Sequence, residues 1–285
     1  MLAAILACAL LASVIPAMAQ QASTAHPTVS SVLERMKSPR WAERARASYE
    51  AGELLVSTNE SPDDVDKLRL GIIQLLIKEN NGGLKEPDDG AKQGSTNSNG
   101  TGEANEGDGE EESDYYSGLI GFVADLNDKR AIPALLGAAG TGGMATRGVA
   151  RFGKKALNPT LAQVKSQDSD LAHGAVFVIL EMLKMHTVGD PDSHLRIKSA
   201  MRSALASREH RVREAAIGAI EYLDDREEFV PILKDIAERD PYGLADQPDN
   251  DGKIRDVYFV REHASKLLRK IASHEPPVVD QGLSH

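Results

Sequence analysis

Cysteine is almost absent from this chain of 285 residues, and its single copy, Cys8, lies in the first apolar run. If that run is removed as a leader, the mature protein has no disulfide, no thiolate nucleophile and no cysteine-type zinc site. A hydrophobic core alone must then hold it together. Aromatic residues are also scarce, at 4% against 41% hydrophobic residues overall, and Ala and Leu dominate the apolar set. Aromatic and β-branched residues supply most strand propensity, so the balance points to helices. Catalytic signatures are missing as well: there is no Gly-x-Ser-x-Gly elbow and no His-Glu-x-x-His helix, and no spacing singles out a set of Ser, His and Asp. A protein that is not an enzyme and needs no cofactor is expected. Basic charge is in deficit too. The net charge is −10, and the ten acids and two lysines between Gly82 and Asp114 account for −8 of it, which leaves the remainder at −2. Nucleic-acid surfaces are basic, so no nucleic-acid partner is expected.

The first 19 residues, MLAAILACALLASVIPAMA, carry no charge and end in Pro16 followed by Ala17-Met18-Ala19. Small residues at the third and first positions before Gln20 fit a secretory cleavage site, although no Lys or Arg precedes the apolar run. The run is short and early for a bilayer span. A signal peptide over 1–19 is expected, with an uncleaved anchor as the alternative. The mature chain would have no stable membrane span and a periplasmic or extracellular location.

After an N-terminal segment over 20–28, helical patterning begins, with N-terminal helical hairpins over 29–79. Residues 80–114 are nearly devoid of large apolar side chains and rich in Gly, Asn, Ser and acids. Such a stretch cannot bury enough surface to offset its ordering entropy and is expected to be a disordered acidic insert. From 115 to 272 the chain again reads as helix after helix, before a flexible tail over 273–285. Phe229, Ile232, Leu233, Ile236 and Ala237 fall at i, i+3, i+4, i+7 and i+8, one face of a helix. HRVREAAIGAIEYL (210–223) and YFVREHASKLLRKI share a Val-Arg-Glu triplet 48 residues apart. Ile132-Pro133-Ala134-Leu135, Asn158-Pro159-Thr160-Leu161 and Val230-Pro231-Ile232-Leu233 form a second recurring element. Proline in a first helical turn loses nothing by lacking an N–H, so each is expected to mark a helix start. Constant signature with variable spacing suggests a helical-hairpin repeat with loop insertions. Six pairs are expected: 29–36 with 41–56, 63–78 with 115–126, then 129–155, 158–185, 192–223 and 227–271.

The units KRAIPALLGAAGTGGMATRGVARFG and REEFVPILKDIAERDP…VREHASKLLRKI resemble HEAT repeats, closest to the short HEAT-like type of bacterial proteins that includes the bilin lyases. The family pattern is a first helix opening with apolar-Pro-x-Leu, a short acidic turn, and a second helix opening near Val-Arg-x-x-Ala. It covers about 129–272, while 29–126 matches by helical periodicity. The fourth unit departs from the pattern, with His173 and Gly174 where an arginine is expected. The resemblance implies an all-α chain, an α-solenoid of about six stacked hairpins forming a HEAT-like or armadillo-type superhelix. Of the second-helix arginines Arg44, Arg147, Arg151, Arg213 and Arg261, it implies a structural role between repeats for Arg213 and Arg261, each bridging to an acid of a turn or adjacent unit.

Several stretches invite a chemical reading. The glycine-rich turn over 137–148 lacks the strand and the Gly-Lys-Ser/Thr of a phosphate cradle, and a tight interhelical turn is expected. His186, Asp190, Asp192 and His194 are the candidates for a metal site, against turn and N-cap duty for the two aspartates. The loop Asp246–Asp256 has a glycine at the centre of a calcium-loop alignment but lacks two acidic anchors, so a solvated insertion is expected. Arg147 and Arg151, at i and i+4 with Lys154 and Lys155 beyond, form a candidate patch for an acidic partner or for the acidic insert. Trp41 is a candidate interface anchor, against simple packing on the first hairpin. These features point to a non-catalytic scaffold that binds another protein along stacked helices in the cell envelope. A metal- or small-ligand-binding envelope protein using the Asp and His loops is a first alternative, and a lyase-like, cofactor-handling repeat protein a second.

Overall fold

The computed structural model describes residues 27–57, 59–84, 106–248 and 254–277. The signal peptide expected over 1–19 with Cys8, the middle of the acidic insert (85–105), the tip of the 246–256 loop (249–253) and the chain end (278–285) lie outside the described residues. Among the described residues there are twelve α-helices and one two-stranded hairpin, so the chain is all-α. None of these helices is long and apolar enough to cross a membrane. Consecutive helices pack on one another within two compact units, divided after Ala138.

The first unit contains α1 (Val29–Arg35), α2 (Trp41–Val56), α3 (Pro62–Lys78), α4 (Glu106–Asp125) and α5 (Ile132–Gly137). Thr28 and Ser31 cap the start of α1 reciprocally, and Ser61 accepts from the Asp64 N–H ahead of Pro62, so both starts satisfy backbone donors that have no intrahelical partner. Helix α3 is the centre of the unit. Its Leu68, Ile72, Ile73, Leu75 and Leu76 are buried among α1, α2, α4 and α5.

The edges of the expected insert are ordered. Beyond Lys78 the chain makes a wide turn over Glu79–Gly83, in which Gly82 takes φ 85°, a left-handed conformation that glycine adopts without strain. Asn80 donates to the Ala134 carbonyl and accepts from the Tyr116 hydroxyl, each at 2.7 Å. On the far side, α4 begins at Glu106, nine residues before the expected Tyr115. Composition misses both edges because specific side-chain hydrogen bonds hold one, and an acid-rich sequence suits the positive end of the helix dipole at the other.

The second unit contains α6 (Gly143–Ala150), α7 (Lys154–Gln163), α8 (Ser169–Lys184), α9 (Pro191–Leu205), α10 (His210–Ile220), α11 (Val230–Arg239) and α12 (Phe259–Ala272). Helices α7 and α8, α9 and α10, and α11 and α12 pack as hairpins, and α6, α8, α10 and α12 lie side by side as one layer of second helices. Left-handed residues end these elements at regular places: Gly153 after α6, His186 after α8 and His274 after α12, as Asn127 does after α4 in the first unit. The Thr187 N–H reaches the Met182 carbonyl and the Glu275 N–H the Lys270 carbonyl, which satisfies carbonyls that have no intrahelical partner.

Two local expectations change. Pro133 and Pro231 do stand in the first turn of α5 and α11, but Pro159 lies inside α7. Gly153, at φ 53°, lets the chain re-enter a helix straight after α6, one turn earlier than the proline suggests. The cost is one missing helical N–H, borne on an exposed side of the helix. The flanks of the expected 246–256 insertion are not irregular: β1 (Leu244–Pro248) and β2 (Ile254–Val257) pair antiparallel, Leu244 opposite Val257 and Pro248 opposite Ile254. Asp251-Gly252, between the two strands, is a hairpin turn signal in the sequence.

Gly174, noted in the sequence as a departure of the fourth unit, stands at a close approach. A Cβ there would stand 2.6 Å from the backbone of Ala139 and Gly140, so only glycine lets α8 sit on the turn that precedes α6. The glycine-rich stretch is the expected tight turn: Gly142 and Gly143 have φ 79° and 52° with open space around them, so the backbone conformation sets the requirement.

Candidate functional site

Two arginine clamps, one in each unit, are the most tightly built polar features among the described residues. Arg44 is the fourth residue of α2, and its side chain is fully buried. Its Nε and Nη2 donate to Glu79 Oε1 and Oε2 at 2.6 and 3.0 Å, and its Nη1 donates to the carbonyls of Ser38 and Pro39 at 2.9 and 2.7 Å. A further bond runs from Nη2 to the Gly83 carbonyl at 2.6 Å. The Tyr115 hydroxyl donates to Glu79 Oε1 at 2.9 Å, and Trp41 stacks on the Tyr115 ring at 6.0 Å. Burial, reinforced by the Glu79 charge, pushes the Tyr115 phenol far above its ordinary range.

Arg213 repeats the plan at the fourth position of α10. Its Nε and Nη2 donate to Asp240 Oδ2 and Oδ1 at 2.6 and 2.8 Å, and its Nη1 donates to the carbonyls of Ser207 and Arg208 at 2.9 and 2.8 Å. His210, in the place of Trp41, stacks on Tyr242 at 3.5 Å. Each carboxylate directly follows a helix, Glu79 after α3 and Asp240 after α11. Arg261, the second arginine of the Val-Arg-Glu echo, donates through Nε to the Asp240 carbonyl at 2.6 Å. Both echoed arginines thus converge on one residue. In α8, Ala172 occupies the fourth position, and there is no clamp.

Arg44 spends all five of its donors within its clamp, and Arg213 spends four of five, three elements being joined through the carboxylate and the two carbonyls of each. Glu79, Tyr115, Asp240 and Tyr242 were not singled out from the sequence. A signal for them exists: Ser38-Pro39-Arg40-Trp41-Ala42-Glu43-Arg44 and Ser207-Arg208-Glu209-His210-Arg211-Val212-Arg213 share a serine, a ring and an arginine at the same spacing.

The outward side of the second-helix layer is the surface that remains for contact. Asp170 pairs with Arg211 at 2.6 Å, Glu214 with His263 at 3.1 Å and Glu221 with Lys270 at 2.6 Å, tying α8 to α10 and α10 to α12. Between these pairs lie half-buried His173 and Phe177, ring edge to ring face at 4.7 Å. His173 Nδ1 is buried without a hydrogen-bond partner. Burial first, and then the Arg211 charge, hold its imidazole below the usual range.

The expected basic patch is divided among partners. Arg147 is half exposed and faces Glu181 on α8 at 3.6 Å, while Lys154 pairs with Asp190 at 2.9 Å. Arg151 follows α6 and is exposed, as is Lys155 on α7. Trp41 is half buried against Tyr115, so part of it is committed to packing.

His186, Asp190, Asp192 and His194 are not gathered into a metal site. Asp190 caps α9, accepting from the Ser193 N–H at 3.1 Å and the Ser193 hydroxyl at 2.6 Å. Those bonds, and then Lys154, hold its carboxyl well below the carboxylate range. His194 Nε2 lies 3.1 Å from the Val188 carbonyl, His186 is the left-handed residue ending α8, and Asp192 is in the first turn of α9. Among the described residues no three of His, Cys, Asp or Glu are placed to hold an ion. No family model matches the chain, and no curated protein matches it.

Proposed function

We propose that the chain is a HEAT-like repeat protein that binds another protein, acting as a non-catalytic scaffold after export directed by residues 1–19. One observation carries this reading: four second helices, α6, α8, α10 and α12, lie side by side and present a mixed polar and aromatic surface crossed by the ion pairs of Asp170, Glu214 and Glu221. A broad, rigid helical face suits recognition of a macromolecule better than conversion of a small one. The Arg213 clamp supports the reading by fixing α10 to the end of α11, so that the face is held there without a disulfide. Arg213, Arg261 and Asp240 fit the bridging role that the HEAT resemblance implies.

Cross-linking with mass spectrometry in the native envelope tests the proposal. A recurrent partner cross-linked to Lys184, Lys266 and Lys270 is the expected result. Cross-links confined to this chain would overturn it.

A further inference from the structure

We infer that a groove between α7 and α9 is a docking notch for an acidic peptide segment of a partner protein. This inference rests on the protein-binding reading above and adds a second contact, between first helices rather than on the layer of second helices, together with the chemistry of the segment it takes. The groove has a volume of about 290 Å³, and Asn158, Leu161, Ala162, Lys165, Arg196 and Ser199 are among its lining residues. No acid lines it, whereas several cations of unit two have one beside them: Lys154 pairs with Asp190, Lys184 with Glu181, Lys198 with Asp225, Arg202 with Glu228 and Arg211 with Asp170. Lys165 and Arg196 carry no ion pair among the described residues. Arg196 is instead aimed by a neutral acceptor, Asn158 Oδ1 at 2.5 Å, which orients the guanidinium without neutralising it. A carboxylate arriving from outside would complete this arrangement, as an Arg fork accepts it bidentately.

The floor and rim indicate which carboxylate-bearing molecule fits. Leu161 and Ala162 give an aliphatic base, and Leu195, on the turn of α9 before Ser199, is 61% exposed, among the most exposed large apolar residues described. Exposed apolar surface beside unneutralised cations complements a segment that alternates acidic and apolar side chains. A larger hollow, of about 480 Å³, shows the contrast: its lining mixes the acids Asp256 and Glu262 with Arg261 and Arg269, so it has no excess of one sign.

Fluorescence anisotropy on the full chain, with a labelled synthetic peptide of alternating Glu and Leu, tests the notch at low and physiological salt. The double charge reversal K165E/R196E should weaken binding more than tenfold, and L195A severalfold. R239E should change it less than twofold, because Arg239 pairs with Asp235 on α11. Circular dichroism shows whether each variant keeps its helices, as expected for substitutions of exposed side chains. Binding that is indifferent to K165E/R196E overturns the inference, as does equal binding of a peptide with Gln for Glu. Binding of anionic phosphatidylglycerol vesicles through the same two residues, with no peptide binding, also overturns it. If native cross-linking finds a partner but the peptide ignores the groove, the scaffold reading stands and the notch falls. If the peptide binds and no partner is found, the scaffold reading falls by itself.

Discussion

The clamp at Arg44 and the clamp at Arg213 use the same arginine position, the same two upstream carbonyls and the same bidentate carboxylate, yet their surroundings differ. In the first unit both charged side chains are 0% exposed, and a second side chain, Tyr115, joins the carboxylate through its hydroxyl. In the second unit the exposures are 8% and 2%, and Tyr242 offers Asp240 its backbone N–H at 3.0 Å. The carboxylate comes 35 residues downstream in one case and 27 in the other. What is kept is the geometry around the guanidinium, while the supporting ring and the loop length vary. A buried ion pair is a poor source of net stability but an effective way to specify one arrangement, because any other leaves a charge unpaired.

Substitutions can break that comparison. Arg44→Met should cost the most, about 3–5 kcal/mol, because it strands Glu79 in a dry site, and adding Glu79→Gln should recover much of the loss. Urea unfolding monitored by Trp41 fluorescence reports it. Arg213→Met should lie at the lower end of that range, about 3 kcal/mol, because its pair is slightly more open to water. Equal losses would mean that the difference in burial is irrelevant. Gly174→Ala should cost about 1–3 kcal/mol through the collision with the 139–140 backbone, read in thermal melts.

The tyrosines sharpen the contrast further. Tyr115→Phe should cost about 1–2 kcal/mol, since Glu79 loses a buried donor, whereas Tyr242→Phe keeps the backbone N–H that Asp240 uses and should change stability by less than about 0.5 kcal/mol. The raised phenol of Tyr115 also gives a pH signature. Its contribution is fully present below the ordinary tyrosine pKa of about 10 and is lost as pH rises beyond it, because the unfolded chain then releases a proton that the folded chain retains. Wild-type stability should fall above about pH 10, and Tyr115→Phe should flatten that slope. Deleting Gly82–Asp114, neutral for a wholly unstructured insert, should be destabilising because it removes the Gly83 carbonyl from Arg44 and the start of α4.

Much of this architecture is legible in the sequence. Helical periodicity places most of the helices, and the prolines at 133 and 231 mark true helix starts, because both signals depend only on neighbours along the chain, whereas the expected pair over 129–155 is divided between the two units. Pro159 misleads because a left-handed glycine upstream had already restarted the helix. Arg213 could be singled out from the sequence as a residue expected to meet an acid, but its partner Asp240 could not, since a bond spanning 27 residues leaves no local pattern. Arg44 was visible as a second-helix arginine, yet its match to Arg213 emerges only when the serine and the ring before each are aligned.

The span of the clamps bears on how the chain acquires its structure during synthesis. Each arginine waits for a carboxylate a few dozen residues behind it on the emerging chain, and the penalty for closing such a loop grows only slowly with length. A knot can therefore tighten as soon as its own stretch has emerged, with no need for the far end of the protein. Assembly from such short-range closures favours rapid, stepwise maturation and leaves little time for half-made helices to find a wrong companion.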